Sequence, residues 1–206
     1  MNDTQQPNPK RSRLTLIILV ILFALPIVLA WIATKNKSWQ PTNSKNNGEL
    51  LEPVRPLPEF TLNKIDGTDF KLEDIRRKWT LIYFVAQSCD QSCQESLVKV
   101  RDVRLAQSGD ALRVQYFLIY AQKPAASEVA SLAKEHPRLN LLVAEGDSAT
   151  VLLNTFKLNT DELLAQTHRV YLVDPIGNLM MYYSEGFPGN GLLKDIRYLL
   201  HWSQIG

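Results

Sequence analysis

Cysteine and histidine are scarce in this chain: two of its 206 residues are cysteine, at positions 89 and 93, and three are histidine. That supply excludes a disulfide-dense secreted scaffold. Two cysteines by themselves are also too few for a closed structural zinc site, while one redox or metal-binding pair remains open. No internal repeat is present. A clustered basic face is missing as well. From Glu59 onward 16 Lys+Arg stand against 18 Asp+Glu, so the overall charge of +2 is made near the N-terminus, by Lys10, Arg11, Arg13, Lys35, Lys37, Lys45 and Arg55. Nucleic acid is therefore not an expected partner. The low hydrophobicity that marks disorder is lacking too, since 45% of residues are hydrophobic and 21% charged. A chain of this length and composition holds one packed domain with appendages rather than two domains.

Residues 14–33, LTLIILVILFALPIVLAWIA, depart from that average, with no charge and a single polar residue, Thr15. At 1.5 Å of rise per residue the stretch reaches about 30 Å, one hydrocarbon thickness, and reads as a transmembrane helix that tolerates Pro26. Lys10, Arg11 and Arg13 before it, against Lys35 and Lys37 after it, favour a cytoplasmic N-terminus of residues 1–13. Val28-Leu29-Ala30 offers a cleavage site for the competing reading, a secretory signal peptide. Both readings put the remainder outside the cytoplasm, and a bacterial inner membrane with a periplasmic domain is preferred to an organellar inner membrane. Residues 34–58 carry Asn, Ser, Lys and Pro41, Pro53, Pro56 and Pro58 and read as a flexible linker, which leaves residues 59–206 as the folded domain.

Within that domain Phe60 and Leu62, then Phe70 and Leu72, alternate with polar residues around Asp66-Gly67, the pattern of an N-terminal β-hairpin. Residues 79–85 are a nearly unbroken apolar run, expected of a strand buried on both faces. A helix with Leu97, Val100 and Val103 should end near Gly109, followed by a strand over 114–120, a helix over 127–136 and a strand over 139–143. A helix over 147–156, with Asp147 as its N-cap, comes next. Strands over 170–173 and 179–183 flank the turn Asp174-Pro-Ile-Gly177, and a last helix runs over about 191–202. Right-handed βαβ crossovers give a parallel centre with helices on both faces and the late hairpin as an antiparallel edge. The layout is α/β and thioredoxin-like, preceded by one transmembrane helix.

Cys89 and Cys93 fall just beyond the carboxyl end of the first buried strand, where open α/β sheets place their sites, and they open a helix. The helix N-terminus is expected to favour a thiolate at Cys89, and the i, i+4 spacing to put both sulfurs on one helical face. Three readings follow: a reactive dithiol with Cys89 as nucleophile and Cys93 as resolving thiol, joint coordination of copper(I), and an inert structural disulfide. Copper(I) usually takes a third donor. Of the histidines, His168 immediately precedes a strand on the side expected to face the cysteine turn, whereas His136 and His201 read as exposed or partly packed. Of Met180 and Met181, one should point to the core and one away.

The single anchor, the Pro-rich tether, Phe60-Thr-Leu62 with Asp66-Gly67, strand 79–85, the C-x-x-x-C at 89 and 93, and Tyr171-Leu-Val-Asp-Pro-Ile-Gly177 together resemble the Sco family. These are copper chaperones and thiol oxidoreductases of cytochrome c oxidase assembly. The resemblance covers roughly residues 57–203. It implies copper held by Cys89, Cys93 and a histidine, and a partner in the copper-site subunit of an oxidase or another thiol protein. Two departures stand out. Asp90 and Gln94 follow the cysteines where the family has proline, and the family's ligand histidine falls at Gln166, two residues before His168. If residues 166–168 are strand, His168 shares the face of Gln166 and substitutes for it as metal ligand. An alignment on Gly177 with membrane-anchored thioredoxin-like reductases instead puts His168 at their cis-proline. The alternatives to oxidase assembly are a dithiol oxidoreductase of other extracytoplasmic substrates and a non-catalytic scaffold. A peroxiredoxin-like pocket is strongly disfavoured by Ile82 and Ala86, where Pro and Thr or Ser would be needed.

Overall fold

The computed structural model describes residues 9–35, 46–203 and 205, and the chain divides into two units, Met1–Lys45 and Asn46–Gly206. In the first unit, helix α1 (Pro9–Lys35) encloses the expected span and keeps Pro26 inside it. Its stretch Arg13–Lys35 is long and apolar enough to cross a membrane, and none of that window is buried. Leu, Ile and Val surround the whole circumference, which suits a helix with apolar surroundings on every side.

The second unit is built on an eight-stranded mixed sheet in the order β1-β8-β7-β4-β5-β6-β2-β3. Strands β4 (Trp79–Val85), β5 (Val114–Tyr120) and β6 (Leu139–Val143) are parallel at its centre. On one side β7 (Val170–Val173) runs antiparallel to β4 and pairs with β8 (Asn178–Tyr183). On the other side β2 (Thr61–Lys64) pairs with β6 and with β3 (Asp69–Lys71), so the N-terminal hairpin extends the sheet. All seven residues of β4 are buried, and its side chains alternate between two cores. Leu81, Tyr83 and Val85 pack under α3 (Gln91–Leu105), α4 (Ala126–Glu135) and α6 (Gly189–Trp202). Ile82 and Phe84 face the opposite way, with Leu72 and Ile75 of the short α2 (Leu72–Ile75) and Leu152 and Phe156 of α5 (Gly146–Phe156). Each fully buried Leu, Ile or Phe contributes about 1.5–3 kcal/mol, and both cores lie wholly within Asn46–Gly206.

Part of the expected linker is a strand. Residues 36–45 of it lie outside the described residues, but β1 (Glu49–Pro56) pairs antiparallel with β8 and buries Leu51, so the folded unit starts at Asn46 rather than Glu59. Proline does not forbid this, because β1 is an edge strand that needs only half its N–H groups, and its register slips between Leu50 and Arg55, around Pro53. The strand's start is held by buried Asp195 of α6, which accepts from the Asn47 and Gly48 backbone N–H groups at 2.9–3.0 Å and from the Asn47 amide at 2.8 Å. Gly48 is required there, since a Cβ would stand 2.6 Å from Met181 Sδ. The late hairpin is consequently internal, with β1 rather than β8 at the edge. Its turn follows the reading: Asp174 Oδ1 accepts from Ile176 and Asn178 N–H, and Gly177 takes φ 97°.

Helix ends differ in detail. Helix α3 stops at Leu105, and Gly109 falls in a 3-10 turn (Ser108–Arg113), with Ser108 taking the positive φ of 51°. Asp147 lies in the first turn of α5, where it still favours the dipole, while Glu145 occupies the N-cap position. His136 is buried, not exposed, with its ring against Tyr116 and no partner for Nδ1. Met181 is core and Met180 is half-buried against it.

Candidate disulfide site

Strand β4 delivers the chain to the top of the sheet, where the Val85 and Ala86 carbonyls accept from Ala121 and Gln122 N–H and carry the β4–β5 ladder past the strand ends. Four residues later Cys89 and Cys93 are joined as a disulfide with a Cα–Cα distance of 5.3 Å. Cys93 is in the first turn of α3, fully buried. Cys89 is not on the helix: it precedes the N-cap Asp90, so the two sulfurs do not share a helical face. Asp90 is the local reason for this geometry. Its extended backbone breaks from the helix and its carboxylate accepts from Cys93 N–H at 2.9 Å. The Cys93 N–H of this helix N-terminus is therefore taken by the Asp90 carboxylate.

The turn is held from several elements. Cys89 N–H donates to Glu128 Oε1 of α4 at 2.9 Å, and the same oxygen accepts from the Tyr120 hydroxyl at 2.8 Å. The Gln94 amide donates to the Cys89 carbonyl at 3.3 Å, and the Ser92 hydroxyl to Glu185 at 2.5 Å. Burial, then the Glu128 hydrogen bond and charge, push the Tyr120 hydroxyl far above its ordinary range, so it remains a donor.

His168 arrives from the other side. A 3-10 turn (Leu164–Gln166) precedes it, and His168 itself holds a left-handed φ of 47°. Non-glycine residues adopt this at a cost of about 1–2 kcal/mol. Its Nδ1 shares a hydrogen bond of 3.0 Å with the Tyr83 hydroxyl and stands 3.8 Å from Asp90 Oδ2, whose other oxygen caps the cysteine turn. Burial, then the charges of Asp90 and Glu185, push the Tyr83 hydroxyl far above its ordinary range and keep it neutral. Gln166 is exposed on the 3-10 turn, so the two-residue periodicity of a strand does not relate it to His168. The peptide before His168 is not cis, since among the described residues the cis bond is Glu52-Pro53. The segment is anchored by the ion pair of Arg169 with Glu162 and by Arg169 over the Tyr182 ring at 5.2 Å. Arg169 and Glu162 sit on the approach to His168, so they fix where it emerges.

Asp90 thus stands between the cysteine turn, through Cys93 N–H, and His168, while His201 lies at the exposed end of α6 against Trp202. Among the described residues no three of His, Cys, Asp and Glu stand close enough together to form a ready metal-donor set. The sequence reading missed Asp90, Tyr83, Glu128 and Glu185. Asp90 alone had a local signal, an acidic residue directly before a helix. Glu128 and Glu185 meet the turn from 39 and 93 residues away.

A membrane-span candidate ahead of a thioredoxin-like domain, with a dithiol pair at the carboxyl end of its central strand, defines the class. Residues 79–203 match the family described as "transmembrane-like, thioredoxin-like, C-terminal domain", and the chain belongs to it. It is a divergent relative of the Sco proteins. The mitochondrial SCO2 homolog of Mus musculus is 22% identical over 197 residues, covering 89% of this chain and 77% of that one. The crystal structure of yeast Sco1 with copper bound superposes with a TM-score of 0.60 at 17% identity, over 72% of this chain and 90% of that one. BsSco, described by its disulfide switch and as a member of the Sco family of cytochrome c oxidase assembly proteins, gives 0.56 at 16% identity, over 75% and 99%.

Proposed function

We propose that the Cys89–Cys93 couple is a working dithiol in extracytoplasmic oxidase assembly, reducing the cysteines of an oxidase copper site. The observation that carries this reading is the cysteine turn itself: a disulfide closing only four residues, at the end of the central strand, with Cys89 slightly open at 7% exposure and Cys93 sealed at 0%. A bridge that short adds little chain-entropy stabilisation, so stability alone does not account for it. In the reduced protein the Cys89 thiolate attacks one sulfur of a partner disulfide, and the other partner sulfur leaves as thiolate. Cys93 then attacks Cys89 Sγ, which releases the reduced partner and regenerates the disulfide. Two electrons pass to the partner, and an external dithiol restores the reduced form.

Copper(I) carriage is the second reading, favoured by His168 standing beside the cysteine turn. Copper would be cargo held by the two thiolates once the disulfide is reduced, with His168 as third donor after release from Tyr83. The domain then lies in a bacterial periplasm with α1 in the inner membrane.

Thiol trapping tests the first reading. Mild reductant should open the disulfide in the folded protein, and reduced Cys93→Ser should hold glutathione from glutathione disulfide as a stable mixed disulfide at Cys89. A bridge that resists reduction until unfolding overturns it. Anaerobic copper(I) titration against a competing chelator tests the second, with at least a tenfold loss of affinity expected in His168→Ala.

A further inference from the structure

At the end of the sheet opposite the disulfide, where the parallel strands β4, β5 and β6 begin, lies a concave pocket of about 330 Å³. Three cations line it, each brought by a different part of the chain. Lys78 comes from the turn into β4, Arg104 from the last turn of α3 and Arg138 from the loop between α4 and β6. Leu112, Pro137 and Leu139 supply an apolar wall, and no carboxylate is among the described residues that line the pocket. Ion pairs among the described residues engage Lys71, Arg76, Arg101, Arg113 and Arg169, but none of these three cations. The acids nearest in sequence are committed elsewhere: Asp74 accepts from Lys71 N–H, Asp102 pairs with Arg101, Asp110 with Arg113, and Glu135 accepts from the Ser131 hydroxyl. A general surplus of cations does not account for the grouping, because residues 59–206 hold 16 Lys+Arg against 18 Asp+Glu. Arg104 is also fixed in place. It is half-buried, its Nε donates to the Val114 carbonyl at 2.8 Å, and no hydrogen bond among the described residues uses its Nη groups.

Like charges gathered around one concavity repel each other, and an anion that enters it relieves the repulsion. A guanidinium presents its N–H groups as a fork that fits carboxylate or phosphate oxygens, whereas Lys adds a point charge. Two forks and an ammonium offer more than one carboxylate can accept. A phosphoryl group, with three acceptor oxygens and close to two negative charges, uses them all. The apolar wall suits a carbon-bearing ester better than bare inorganic phosphate, and the volume is at the lower end of small-molecule sites. We propose that this pocket binds a phosphoryl group carried on a small organic alcohol, with Arg104 and Arg138 on its oxygens and Lys78 balancing the remaining charge. A free phosphate ester and a phospholipid headgroup share that chemistry. The site is separate from the cysteine turn, so the inference stands whether or not the thiol and copper readings do.

Isothermal titration of the full chain in a non-ionic detergent tests the site with three ligands: glycerol 3-phosphate, the short-chain lipid dihexanoyl phosphatidylglycerol, and acetate. A phosphate ester should bind saturably at one site per chain, more tightly than acetate, raise the unfolding midpoint by mass action and weaken as salt is added. Binding of glycerol 3-phosphate assigns the site to a free ester, and binding of the short-chain lipid alone assigns it to a headgroup. Arg138→Gln should weaken binding about tenfold or more, because a hydrogen bond to a charged group is worth at least one tenfold step. Arg138→Lys, which keeps the charge and loses the fork, should fall between that variant and wild type. Lys78 and Arg138 are exposed and their side chains make no hydrogen bond or ion pair among the described residues, so the double variant Lys78→Gln, Arg138→Gln should keep the circular dichroism of the fold while losing the ligand. Lys194→Gln, on the exposed flank of α6, should bind as wild type does. No binding of either phosphate ester, equal affinity for acetate, wild-type affinity in the double variant, or an equal loss in Lys194→Gln would each overturn the proposal.

Discussion

The cysteine turn and the segment that brings His168 beside it are built in different ways. The turn spans five residues and is held at nearly every polar atom: Cys89 N–H by Glu128, the Cys89 carbonyl by Gln94, Cys93 N–H by Asp90 and the Ser92 hydroxyl by Glu185. The His168 segment is held at its base, through Arg169 and Glu162, while the imidazole itself has one close partner, Tyr83, and a strained backbone. Rigid cysteines suit a thiol exchange in which the same two atoms must meet on every cycle. A lightly held imidazole at a strained position suits a group that exchanges partners.

Removing a sulfur tests that contrast with the largest effect. Cys89→Ser should abolish covalent capture of a disulfide substrate and Cys93→Ser should trap it, both read by mass spectrometry. Trapping on Cys93 instead would reverse the assignment made from exposure. Next in size is Glu128→Ala, which strands the Cys89 N–H and the Tyr120 hydroxyl and should cost about 1–3 kcal/mol in denaturant unfolding. Glu128→Gln, which keeps an acceptor oxygen, should recover much of this. Tyr83→Phe should cost no more than about 1 kcal/mol, because the half-exposed imidazole can turn to water. If it costs as much as Glu128→Ala, the two segments are equally fixed and the comparison fails.

His168→Gly goes the other way. Glycine accepts φ 47° without strain, so the variant should be as stable as wild type or up to about 1 kcal/mol more stable, while copper(I) affinity falls. A control for pH work lies away from both segments, at His136. Burial, and then Arg101, hold its pKa below the ordinary 6.5, so the unfolded chain binds the proton more readily than the folded one. Its contribution to stability is intact above about pH 6.5 and falls as pH drops below that, by at most about 1.4 kcal/mol per pH unit. His136→Leu should remove that loss, which is read as a flatter dependence of unfolding on pH between 7 and 5.

Much of the scaffold was legible before any coordinate. The apolar run 14–33, the unbroken strand β4, the two hairpins with their Asp-Gly and Asp-Pro-Ile-Gly turns, and the cysteines beyond a strand end all carry their signal in a few neighbouring residues. The strand β1 did not, because its two prolines, Pro53 and Pro56, mask a segment whose pairing needs only one edge of β8 and a buried carboxylate 148 residues away. The site shows the same division. The spacing of Cys89 and Cys93 is a local fact, and Asp90 before a helix start is another. Local sequence by itself determined these, because turn chemistry and hydrophobic period act over single turns and strands. Only the tertiary structure decided that Glu128 grips Cys89, that Tyr83 meets His168 across 85 residues, and that Gln166 stands apart on its 3-10 turn. Such pairings are set by which side chains emerge at the same end of the sheet once both cores have packed, and no local pattern encodes that.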